Sequence, residues 1–115
     1  GRLKDMIITG GENVFAGEVE NVLMQHVAVE SCAVFGVPDA KWGEAVHAAV
    51  VLKNGCLATA ADLIGYCREK IAHYKCPQAV TIRAEPLPLS GVGKIRKVDL
   101  LAQWKADHHV EIKNV

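Results

Sequence analysis

The sequence has 115 residues, half of them hydrophobic and 23% charged, a length and composition that suit one domain with a modest core. Thirteen basic side chains balance thirteen acidic ones and only 5% of residues are aromatic, which argues against both a phosphate-tracking surface and a base-stacking platform, so nucleic acid is not an expected partner. No apolar run approaches the roughly 18 residues of a membrane span and no signal peptide precedes the first strand, so no membrane partner and a cytoplasmic location are expected.

The chain opens with GRLKDMIITGGENVFAGEVE. Met6, Ile7 and Ile8 form a strand, and Gly10 with Gly11 provides a turn that a ligand can approach closely. Glu12, Asn13, Val14 and Phe15 suit a short return strand. A helix then runs from about Gly17 to Gln25, with Glu18 and Glu20 where a helix N-terminus favours negative charge. Val19, Val22 and Leu23 share one face of it and pack on a sheet.

Val29 to Val37 alternates loosely, and after the turn PDAKWGE the run from Ala45 to Leu52 is apolar at nearly every position. These are neighbouring strands of a buried sheet. Thr59 with Asp62 gives a capping-box-like start to a second helix, whose buried stripe is Leu63, Ile64, Cys67 and Ile71. Pro77 ends that region and Ala79 to Arg83 is a third strand. The Pro- and Gly-punctuated segment AEPLPLSGVGK is an exposed loop, open and flexible around Lys94. Val98, Leu101 and Trp104 recur at helical spacing in a closing helix, and residues 108–115 form a tail. The sum is a compact α+β domain: an N-terminal β-hairpin, a mixed three-stranded sheet and about three packing helices.

Cys32, Cys56, Cys67 and Cys76 contain no C-x-x-C pair and are expected to be reduced core thiols. His26 terminates a helix, and His47 and His73 stand singly. His108 and His109 lack a partner at ligand spacing, so no metal site is expected.

Two stretches in the right order carry a resemblance. GRLKDMIITGGENV followed by GEVE, together with LPLSGVGKIRK from Leu87 to Lys97, resembles the opening and closing motifs of the C-terminal domain of the adenylate-forming (AMP-binding) acyl-CoA synthetases. The resemblance implies a domain of a larger ligase that forms an acyl-adenylate from an acid and ATP, then a thioester with coenzyme A. Because the chain begins at Gly1 inside the first motif, residues 1–107 are expected to be that mobile domain. Its partner would be its own N-terminal domain, holding the acid and most of the ATP with Mg2+.

The resemblance assigns the sites residue by residue. Lys94 would act in adenylation and bind the nucleotide. Joining a carboxylate to ATP brings two anions together, and one positioned cation is worth about 3–4 kcal/mol, by analogy with single oxyanion donors. Lys94 would also be open to silencing by acylation, which removes its charge. Lys4 corresponds to the hinge, and Arg2 either contacts the nucleotide or pairs with Asp5. Gly10, Gly11 and Glu12 would form the loop of the thioester step. Gly10, Gly11, Asn13, Trp42, Tyr74 and Lys75 would line the coenzyme A passage, the aromatics stacking on adenine and Lys75 meeting phosphate.

Plainer readings stand beside each: surface lysines for Lys4 and Lys94, an ordinary turn at the glycines, backbone-satisfying polar groups at Glu12 and Asn13, and rim aromatics at Trp42 and Tyr74. Ala16 stands where relatives usually place proline, and Cys76 where some carry arginine, which leaves the contact to the coenzyme's 3′-phosphate open. Ile8 stands where luciferase-like relatives have lysine. The expected substrate is a fatty or aromatic acid. The alternatives are an adenylation domain that loads a carrier protein and a non-catalytic binding module.

Overall fold

The computed structural model describes residues 5–108. Arg2, Lys4 and the expected tail beyond His108 lie outside the described residues. In chain order the elements are β1 (Met6–Thr9), β2 (Glu12–Phe15), α1 (Ala16–Met24), β3 (Val29–Asp39), β4 (Gly43–Leu52), α2 (Ala60–Arg68), a 3-10 turn (His73–Lys75), β5 (Ala79–Arg83) and α3 (Lys97–Asp107). The α+β class and the N-terminal hairpin are as expected, and the short 3-10 turn was not foreseen.

β4 is the spine. β3 pairs antiparallel with it from Val29↔Leu52 to Asp39↔Gly43, with a register shift between Val29 and Ser31. The opposite edge of β4 is shared. β5 runs parallel to it from His47↔Ala79 to Val51↔Arg83, and β1 meets it only at Thr9↔Gly43. The hairpin is therefore not separate from a three-stranded sheet; both belong to one mixed, five-stranded sheet. Where β1 diverges from β4, the Glu44 side chain takes the place of a ladder bond: its Oε1 accepts from the Ile8 N–H at 2.8 Å.

Period-two alternation between two cores explains why β4 is apolar at nearly every position from Ala45 to Leu52. Val46, Ala48 and Val50 face one core with Val19, Leu23, Leu63 and Cys67 of α1 and α2. Ala45 and Ala49 face a second core with Phe35, Leu87 and Leu100, completed by half-buried Leu101 and Trp104 of α3. His47 shares that second face and is buried, its Nε2 2.8 Å from Thr81 Oγ1.

The helices differ from expectation in detail. α1 ends at Met24 with Gln25 as its C-cap. α2 has the full capping box, with Thr59 N–H donating to Asp62 Oδ2 at 2.9 Å and Asp62 N–H to Thr59 Oγ1 at 3.1 Å. It stops at Arg68, so Ile71 packs on the core from beyond the helix. In α3 the buried anchor is Leu100, while Val98 is 63% exposed: the face toward the sheet is Leu100, Leu101 and Trp104, not a strict every-third spacing. Leu87, expected in an exposed loop, is buried in the same core.

Candidate functional site

Two local structures carry the site candidates, and each has a reason to hold its shape. The first is the β1–β2 turn. Gly10 has φ +58° and Gly11 φ +82°, the paired left-handed conformation of a tight hairpin turn that only glycine adopts without cost. Gly10 N–H donates to the Trp42 carbonyl at 2.8 Å, and a Cβ on Gly10 would lie 2.7 Å from Trp42 Cε3. At Gly11 a Cβ would meet nothing within 4 Å. Trp42 closes the floor of the turn, and Gly11 faces open space.

Asp39 positions Trp42. Its Oδ1 accepts from both Lys41 N–H, at 2.9 Å, and Trp42 N–H, at 2.8 Å, folding the β3–β4 connection around one carboxylate. Lys41 Nζ sits 4.9 Å from the centroid of the Trp42 ring, which remains 41% exposed. Glu12 and Asn13 follow the turn, paired with Thr9 and Ile8, and are exposed.

The second structure is the Lys94 loop. Instead of an open flexible segment, residues 88–96 form a small hairpin. Arg96 N–H donates to the Pro88 carbonyl (2.9 Å), Ser90 N–H to the Lys94 carbonyl (2.7 Å) and Gly93 N–H to the Ser90 carbonyl (2.9 Å). Lys94 N–H adds a bond to Ser90 Oγ at 3.2 Å, and Leu89 bridges Ile95. Gly93, at φ +85°, makes the turn possible. Sequence composition alone suggested mobility because it registers glycines, not the bonds between their neighbours. Lys94 itself is exposed.

Lys94 borders an open concavity of about 920 Å³ between the loop, α3 and the sheet, together with Asp5, Glu20, Glu44, Arg96 and Lys97. Gly10, Gly11, Trp42, Tyr74 and Lys75 are not part of its lining. The glycine turn of the first motif thus lies outside the surface that Lys94 borders, while Asp5, Met6, Ile7 and Glu20 of the same motif line it.

Tyr74 and Lys75 lie in the 3-10 turn. Lys75 Nζ is 3.1 Å from each oxygen of the Glu18 carboxylate on α1, and that hydrogen bond raises its pKa. It is also 5.8 Å from the centroid of Tyr74. Cys76 is buried, its thiol donating toward the carbonyls of Ala72 and Ile71 at 3.5 and 3.9 Å. It is part of the core, so it offers no exposed cation such as arginine would supply.

Glu20 and Lys97 were missed as site residues by sequence reasoning. Glu20 reads as a favourable helix-start acid; in the structure its Oε2 accepts from Val34 N–H at 2.9 Å and lies 2.9 Å from Lys97 Nζ. The only hint in the sequence is a lysine at the start of a helix, where positive charge is unfavourable.

A family model described as the AMP-binding enzyme C-terminal domain matches residues 18–94. A feruloyl-CoA synthase of an Amycolatopsis species is 48% identical over 96 residues, which is 84% of this chain and 19% of that protein. A long-chain-fatty-acid–CoA ligase of Bacillus subtilis is 44% identical over 110 residues, covering 96% of this chain and 20% of the ligase. Among solved structures, a Mycobacterium tuberculosis fatty acyl CoA synthetase superposes with a TM-score of 0.84 at 42% identity, over 92% of this chain and 21% of the other. ATP-bound MatB from Rhodopseudomonas palustris gives 0.87 at 34% identity, over 94% and 21%. The chain spans about a fifth of the length of these curated relatives.

Proposed function

The chain belongs to the AMP-binding enzyme C-terminal domain family, and we propose from this that it is the mobile C-terminal domain of an ATP-dependent carboxylic acid–CoA ligase. The reaction is acid plus ATP to acyl-AMP and pyrophosphate, then acyl-AMP plus coenzyme A to acyl-CoA and AMP. Residues 1–107 form the domain, Lys4 its hinge, and a larger N-terminal domain holds the acid and most of the nucleotide with its Mg2+. A fatty or aromatic acid is the substrate class we favour, by likeness to the feruloyl-CoA and long-chain-fatty-acid ligases, and the cytoplasm the location.

The observation that carries the reading is the separation of two well-formed turns. Lys94 stands at the end of a hydrogen-bonded hairpin, exposed, beside one concavity. There its ammonium aligns the acid with the α-phosphate and offsets the negative charge that develops between them, while Arg2 contacts the nucleotide. Gly10 and Gly11 form a turn elsewhere, with open space over Gly11. That turn, with Glu12 and Asn13 beside it, admits the pantetheine arm, and Trp42, Tyr74 and Lys75 receive the rest of coenzyme A. As the family resemblance implies, the domain presents the two turns to the reaction centre in sequence, by rotation. Exposure of Lys94 also leaves it open to acylation, which would cancel its charge and stop the first step.

The test uses the full-length protein and a panel of carboxylic acids, with acyl-adenylate trapped as hydroxamate and AMP release followed with and without free coenzyme A. Acid-dependent trapping with coenzyme A-stimulated AMP release supports the ligase and identifies its acid. Trapping indifferent to free coenzyme A indicates a carrier-protein acceptor. No trapping with any acid removes catalysis from the account.

A further inference from the structure

The Lys94 hairpin closes on itself, so its internal bonds fix its shape but not its placement on the domain. Placement depends on its two ends. At one, Leu87 is buried in the second core. At the other, α3 begins at Lys97, three residues after Lys94.

The start of α3 is electrostatically unusual. Its N-cap, Arg96, makes no side-chain capping bond, and the first helical residue is a lysine, so positive charge stands where the helix dipole disfavours it. Arg96 is matched locally by Asp99, with Nε to Oδ2 at 2.8 Å. Lys97 instead reaches across the concavity: its Nζ lies 2.9 Å from Glu20 Oε2 and 3.8 Å from Asp5 Oδ1, with the Lys97 and Glu20 side chains each 25% exposed. Glu20 is itself fixed, because the same Oε2 accepts from the Val34 N–H at 2.9 Å. The chain of contacts therefore runs from the backbone of β3, through a carboxylate on α1, to the residue that ends the Lys94 loop.

We propose that Lys97, held by Glu20, is a positioning residue for Lys94: the ion pair sets the height and direction at which the loop leaves the sheet, and so where the Lys94 ammonium stands during adenylation. This rests on the role proposed above for Lys94. Lys97 touches no reacting atom. Its contribution is geometric, and a displacement of about 1 Å at a reacting group is enough to cost on the order of a hundredfold. Asp5, beside the hinge candidate Lys4, adds a second carboxylate, so the pair also joins the loop to the segment by which the chain enters the domain.

The experiment compares Lys97→Met, Lys97→Arg and Glu20→Gln with Lys94→Ala in the full-length enzyme. It measures two half-reactions: hydroxamate-trapped adenylate formation, and thioester formation from supplied acyl-adenylate. Lys97→Met should lower kcat for adenylation about ten- to a hundredfold while changing the KM for ATP and the thioester step less than about threefold. Lys97→Arg, which keeps the charge, should restore adenylation to within about threefold. Glu20→Gln keeps the shape and an acceptor for Val34 N–H, and should reproduce the Lys97→Met loss; combining the two should add little to either.

Equal loss of both half-reactions in Lys97→Met and Glu20→Gln would make the pair merely structural and overturn the inference. So would unchanged adenylation in both, with Lys94→Ala inactive as proposed. Unchanged adenylation in Lys94→Ala would instead remove the role of Lys94, and the inference with it.

Discussion

Gly10 and Trp42 hold each other in place, the glycine N–H bonded to the tryptophan carbonyl at 2.8 Å and the ring lying where a Gly10 side chain would have to go. Gly10→Ala therefore carries two costs, a left-handed backbone at φ +58° and an overlap 2.7 Å from Trp42 Cε3. Together they should destabilise the domain by about 2–4 kcal/mol. Adding Trp42→Ala should relieve the overlap and leave the backbone cost alone. Gly11→Ala, with open space around it, should cost only about 1–2 kcal/mol. Thermal unfolding of the three variants checks this, and a Gly10→Ala penalty no larger than that of Gly11→Ala would contradict it.

Burial, with the charge of His108 adding to it, holds the His47 imidazole down at about 4, against 6.5 when free. The unfolded chain therefore binds the extra proton first. Stability contributed by neutral His47 is intact above about pH 6.5, and is lost as pH falls from there to about 4, by up to about 3 kcal/mol. Trp104, which packs between His47 and His108, ties this loss to the α3 face. Denaturant unfolding of the wild type and of His47→Gln between pH 4 and 7 should show the stability gap between them changing across that window. A pH-independent gap would show that His47 does not titrate as described.

Burial, with Glu20 adding to it, pushes the thiol of Cys32 up to about 12, and burial pushes that of Cys67 up to about 11; Cys76 is also raised by burial. Thiolate is the reactive form. A thiol reagent applied to the native protein at pH 8 should modify half-buried Cys56 and leave the other three until unfolding, as read by peptide mass mapping. Early modification of Cys76 would contradict its place in the core.

Lys75 is bonded to Glu18, not idle on the surface. If it also meets a phosphate of coenzyme A, Lys75→Ala should raise the KM for coenzyme A by about three- to tenfold, more so at low salt, and leave adenylate trapping unchanged. A KM insensitive to both the variant and the salt would restrict Lys75 to its pairing with Glu18.

Local pattern made the elements legible. Apolar β4 and alternating β3 announced a buried sheet, Thr59 and Asp62 announced the start of α2, and Val19, Val22 and Leu23 its neighbour's buried face. What stayed hidden was pairing between distant segments. Nothing near Thr9 reveals that it meets Gly43 and fuses the hairpin to the sheet. Leu87 lies among prolines and glycines, and its burial depends on α3 arriving from later in the chain. The two motifs located Lys94 and the glycine turn, but the bonds that stiffen the Lys94 loop and the Glu20–Lys97 tie are tertiary contacts with no periodic signature.

The central claim is that one domain serves two steps with two different turns, and the direct measurement is the pair of half-reactions in full-length Lys94→Ala and Gly11→Leu. The account predicts that Lys94→Ala loses adenylate formation by a few hundredfold, about 3–4 kcal/mol, yet still converts supplied acyl-adenylate to thioester. It predicts the reverse for Gly11→Leu, where the added side chain enters the open space over the turn. Equal loss of both steps in either variant would contradict it.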